Sequence, residues 1–133
     1  EASQRLPHQP KVVSIDPHMR DTWEPFSKVV RDFHLEERGL EIQRTFSSDA
    51  GACWNRPIAY LWIDGSHRYE DVLKDIDLFV PHVVPGGYIV FDDAHGGNFP
   101  GVEQALKEKM FPREDVIHVG TIKHFEIFKR IKA

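Results

Sequence analysis

Residues 58–93 read IAYLWIDGSHRYEDVLKDIDLFVPHVVPGGYIVFDD. The stretch opens on an apolar run, IAYLWID, that closes on Asp64. Tyr69, Val72, Leu73, Ile76 and Phe79 then recur three or four apart, the spacing of one helical face. Pro81, Pro85 and the pair Gly86-Gly87 are expected to stop that helix. YIVFDD follows, a second apolar run closing on Asp92 and Asp93. Short continuous apolar runs suit strands covered on both faces, so Trp62 is expected to be buried. Strand, helix and strand in this order form a βαβ unit, whose crossover is right-handed.

Working outward, KVVSID (11–16) is another apolar run ending in an acid. Trp23, Phe26, Val30 and Phe33 mark a helical face between about 21 and 37, with Asp21 and Glu24 as a capping-box-like start and Gly39 as a stop. EIQRTF (41–46) alternates as a strand does, and 47–57 reads as loop with room for a helical turn. Residues 101–110 read as a helix with Val102, Ala105 and Leu106 inward. VIHVG and HFEIFKRI, joined at Gly120-Thr121, read as a closing antiparallel pair. Residues 1–10 read as a helix tail and a loop. The alternation predicts an α/β fold with a doubly wound, mostly parallel sheet and a C-terminal antiparallel pair, all within one domain, 1–133.

The 133 residues are few for a complete doubly wound enzyme. Hydrophobic residues make up 41% and charged residues 29%, values of a globular chain. A net charge of −4, with no clustered Lys and Arg, argues against nucleic acid as a partner. Cys53 is the single cysteine, which rules out an internal disulfide and fits a cytoplasmic setting. No apolar stretch reaches the roughly 20 residues of a membrane span, and the polar start has no signal-peptide pattern.

Asp16, Asp64 and Asp92 each close an apolar run. In a parallel sheet those ends share one edge, where ligands bind. Helix N-termini point there too and favour anions, so acids at that edge call for ribose hydroxyls or a metal ion. The plainer reading is that each caps the helix after it. His67 lies three residues past Asp64 and off the apolar stripe, and an imidazole suits proton transfer. The alternative is an exposed histidine at a helix start. His95 follows the Asp pair closely and is open to a ligand role, a substrate contact or none.

The Asp-Gly-Ser-His segment and the Pro-Gly-Gly strand ending in Asp-Asp, taken together, resemble the metal-dependent O-methyltransferase branch of class I S-adenosylmethionine (SAM) methyltransferases. Within it, the likeness is to enzymes that methylate sugar hydroxyls of macrolide-type products. The resemblance runs from Lys11 to the end and implies a Rossmann-like fold entered at the family's second strand. It implies that Asp16 binds the SAM ribose hydroxyls and that Asp49 lies near the adenine amino group. It further implies that Asp64, Asp92 and Asp93 hold Mg²⁺ or another hard divalent cation. It implies His67 as the general base and a small-molecule hydroxyl as methyl acceptor.

One family feature is missing. The family's first strand ends in a glycine-rich loop, and these residues contain no G-x-G pattern. That strand would lie at the centre of the sheet, so its loss leaves two strand edges open. Either the chain is part of a longer product, or it folds without the strand and pairs with a second copy as a homodimer. The rivals to an O-methyltransferase are a truncated, inactive relative acting as a binding module, and a metal-dependent hydrolase. For the hydrolase no G-x-S-x-G and no His-rich metal motif is present.

Overall fold

The computed structural model describes residues 11–133, so the helix tail and loop expected over 1–10 lie outside the described residues. The described residues form two compact units, the first ending at Ala50 and the second running from Gly51 to Ala133.

In the first unit, β1 (Val12–Ile15) pairs in parallel with β2 (Leu40–Gln43), Val12 opposite Leu40 and Ile15 opposite Gln43. Helix α1 (Trp23–Asp32) is the crossover between them. Pro25 is tolerated in α1 because first-turn N–H groups have no partner in the helix. The expected Asp21–Glu24 capping box does not form: the N-cap is Thr22, without a side-chain cap bond, and Asp21 has φ of 60°. Val30 is buried, but Phe33 falls beyond the last helical turn and is exposed. β1 is not covered on both faces as its apolar run suggested, since Val12 is exposed and only one edge is paired among the described residues. Gly39, at φ of 100°, makes the sharp reversal into β2. Helix α2 (Ser47–Ala52) occupies the segment read as loop.

In the second unit, four strands lie in the order β3-β4-β6-β5. β3 (Ile58–Ile63) and β4 (Val83–Phe91) are parallel, joined by α3 (Tyr69–Phe79) and a 3₁₀ turn, Val80–His82. Helix α4 (Pro100–Lys109) leads to β5 (Val116–Ile122) and β6 (Phe125–Arg130), the expected antiparallel pair. The core holds Ile76, Ile89, Phe91, Leu106, Met110 and Phe128, all 0–1% exposed. Burying side chains of this size contributes about 1.5–3 kcal/mol each.

Three expectations for this unit are corrected. Pro85-Gly86-Gly87 does not precede the strand but lies inside β4, as an irregularity that opens the register between Ile58 and Tyr60. A side chain at Gly87 would meet the Ala59 and Val84 carbonyl oxygens at 2.9 Å, and Gly86 has φ of 89°. Trp62 is exposed: it shares one face of β3 with Tyr60, which is also exposed, while Ile63 on the opposite face is buried. The β5–β6 turn falls at Lys123-His124 rather than Gly120-Thr121, with Gly120 at a register shift inside β5.

Candidate functional site

The parallel ladder sets Ile63 beside Phe91, and the Asp92 N–H continues it by donating to the Ile63 carbonyl at 3.0 Å. Asp64 and Asp92 are the next residues of their strands and come side by side. The Asp64 and Asp92 carboxyl groups stand close enough to act on each other. Asp93 turns back with φ of 51°, and its N–H donates to Asp92 Oδ1 at 2.7 Å. Desolvation at the strand end raises the Asp64 pKa, and the negative charges of Asp92 and Asp93 raise it further. His67 works in the opposite direction.

His67 stands at the approach to α3. Its Nε2 lies 3.2 Å from Asp93 Oδ2, yet this atom is buried without a hydrogen-bond partner. Its ring lies tilted against Phe99, with ring centroids 3.9 Å apart. Ser66 Oγ accepts from the Arg68 N–H at 3.2 Å and donates to Asp71 at 2.8 Å, which shapes the entry into the helix. Gly101 fixes the other side: a Cβ there would sit 2.7 Å from the His67 carbonyl oxygen and 2.9 Å from the Tyr69 nitrogen. The lack of a side chain at Gly101 lets the start of α4 press against the His67 backbone. A small cavity of about 10 Å³, room for one water, is lined by Asp64, Gly65, Ser66, His67 and Asp92.

Two groups of donor atoms here are each within 4.8 Å of one another: Asp64, His67 and Asp93, and Asp92, Asp93 and His124. His124 was not singled out by its sequence position, because the strand reading ran through it. Its Nε2 is 3.1 Å from Asp92 Oδ1. The donor chemistry fits a divalent cation: clustered carboxylates whose like charges oppose one another.

His95 is held from the other side, its Nδ1 3.3 Å from Glu126 Oε1. Glu126 is buried and also engages His118 at 2.6 Å and Thr121 at 2.9 Å. Trp54 tucks against Phe79, with ring centroids 5.7 Å apart, and donates to the Arg56 carbonyl.

The two residues expected to meet the cofactor belong to the other unit. Asp16 lies just past β1, exposed, and its Oδ1 accepts the His18 N–H at 2.6 Å. Asp49 is exposed in the first turn of α2. No helix among the described residues is long and apolar enough to cross a membrane.

The model of one family, described as a methyltransferase domain, matches residues 2–94, well over half of the chain. An uncharacterised protein of Acanthamoeba polyphaga mimivirus is 53% identical over 36 residues, 27% of this chain and 16% of that protein. Among solved structures, the O-methyltransferase TomG from Streptomyces achromogenes, determined in complex with SAM, superposes with a TM-score of 0.70 at 16% identity, over 97% of this chain and 66% of TomG. CalS11, a TDP-rhamnose 3'-O-methyltransferase of calicheamicin biosynthesis, superposes with a TM-score of 0.64 at 15% identity, over 91% of this chain and 58% of CalS11. These likenesses establish the α/β, Rossmann-like fold. The chain spans about a sixth of the mimivirus protein and about three fifths of CalS11.

Proposed function

Since this chain belongs to the methyltransferase-domain family, we propose that it is a SAM-dependent O-methyltransferase acting on a hydroxyl of a small molecule. The observation that carries this reading is the convergence of Asp64, Asp92, Asp93 and His67 at one end of the β3–β4 pair. A sugar hydroxyl is the favoured acceptor, on the likeness to CalS11.

His67 Nε2 takes the proton of the acceptor hydroxyl. The freed oxygen attacks the methyl carbon of SAM in line, a C–O bond forms, the S–CH₃ bond breaks, and S-adenosylhomocysteine leaves with the electron pair. Asp64, Asp92 and Asp93 would hold a divalent cation such as Mg²⁺ or Mn²⁺. When bound, the cation supplies Lewis acidity toward the hydroxyl and relieves the repulsion among the three acids. Phe99 and the close approach at Gly101 hold the His67 ring in place, so positioning carries part of the rate. Asp16 accepts hydrogen bonds from the SAM ribose hydroxyls, which suits an exposed carboxylate at a strand end. Asp49 takes the adenine amino group.

The test is His67→Ala, assayed by S-adenosylhomocysteine formation over a panel of sugar nucleotides, with SAM binding measured by calorimetry. Turnover should fall by roughly 10²–10⁴-fold while SAM binding is kept. Unchanged turnover removes His67 from the mechanism. A second reading is an inactive relative of the family. It predicts no heat on titration with SAM or S-adenosylhomocysteine, whereas the enzyme reading predicts micromolar binding, about −8 kcal/mol.

A further inference from the structure

The antiparallel register between β4 and β6 pairs Phe91 with Glu126. Continued past the ends of both strands, it sets Asp93 against His124. The backbone continues in the same sense, for the Ala94 N–H donates to the His124 carbonyl at 2.9 Å. His124 occupies the β5–β6 turn, next to Lys123 with φ of 56°, and its ring lies against Phe125 at 4.1 Å. The turn therefore delivers an imidazole to the acid pair from the side opposite His67. His124 Nε2 reaches Asp92 Oδ1 at 3.1 Å, and its donor atom lies within 4.8 Å of those of both Asp92 and Asp93.

We propose that His124 is a nitrogen donor to the cation held by Asp92 and Asp93, and that the site prefers a borderline ion such as Mn²⁺ or Co²⁺ to Mg²⁺. The inference rests on the cation reading above and extends its donor set. Carboxylates alone suit a hard ion, whereas imidazole shifts preference toward transition ions. As a mere partner of Asp92, His124 would add little, because it is half exposed and an exposed ion pair is worth about 0–1 kcal/mol. As a donor, it completes a set drawn from both strand ends and the turn.

The test uses Mn²⁺ alone, with pulsed electron paramagnetic resonance on the whole chain. A nitrogen hyperfine coupling is expected in the unaltered protein and in His67→Gln, and its loss in His124→Gln. Competition with Mg²⁺ should show the preference for Mn²⁺ reduced in His124→Gln only. Saturable Mn²⁺ binding whose nitrogen coupling is absent, or survives in His124→Gln, overturns the donor role and leaves the acid site standing. Failure of the unaltered protein to bind Mn²⁺ overturns the acid site itself, and the donor role with it. His124 lies on an exposed turn, and the unaltered protein and His67→Gln supply the answer even if His124→Gln does not fold.

Discussion

Ile63 and Phe91 face each other across the parallel β3–β4 ladder, and the next residue of each strand is an aspartate. That single register relation explains why two carboxylates 28 positions apart act on each other. It also explains why the acid group is under electrostatic stress until something positive joins it.

Asp64→Asn should relieve that stress. At pH 7 in a chelator, the variant should melt above the unaltered protein, because it removes one of three like charges. Saturating Mn²⁺ should reverse the order, since an ion bound only to the folded state stabilises it in proportion to its affinity. Calorimetric melting with and without the ion checks both. A lower melting temperature for Asp64→Asn in the chelator would mean that the acids are not in conflict.

Gly101→Ala should destabilise by about 1–3 kcal/mol, because its Cβ meets backbone atoms that cannot rotate away. Turnover should drop beyond what the lost stability explains, as the displaced backbone belongs to His67. Gly87→Ala meets equally close carbonyl oxygens inside β4 and should destabilise similarly. Denaturant unfolding of both variants, compared with their turnover at low temperature, separates packing from positioning. Equal activity losses in the two would remove the special link between Gly101 and His67.

Asp115 gives the pH dependence. Hydrogen bonds from Arg113, at 2.7 and 2.8 Å, hold its carboxyl below the usual range, with the charges of Arg113 and Arg130 adding to this. Its folded pKa is depressed, so its contribution is complete above the unfolded carboxylate pKa and is lost as pH falls through the folded value. Asp115→Asn should therefore cost about 1 kcal/mol at pH 7, allowing for solvent screening. The difference from the unaltered protein should close in acid. Urea midpoints across that pH range measure it, and a gap that persists below the carboxylate range would contradict the assignment.

Asp16→Ala should weaken S-adenosylhomocysteine binding by roughly tenfold to a hundredfold, the loss of a charge-assisted hydrogen bond or two. Titration calorimetry checks it. Unaltered affinity would place the ribose elsewhere.

Much of this was legible in the residues. The apolar runs and the helical stripe of Tyr69, Val72, Ile76 and Phe79 located β3, α3 and β4 to within a few positions, because periodicity is a local signal. The acids after β1, β3 and β4 were equally visible. Trp62 misled, because an apolar run does not say whether both faces of its strand are covered. Pro85-Gly86-Gly87 misled because breaker residues also serve a bulge inside a strand, where close carbonyls leave no room for a side chain.

From its order of residues alone, this chain determined which elements form and which chemical groups stand at their ends, since both depend on neighbours a few positions apart. Tertiary structure alone decided that His124 reaches the acid pair and that Gly101 braces His67. Those meetings depend on strand register and on the approach of one backbone to another, and neither distance is written in the spacing of the residues involved.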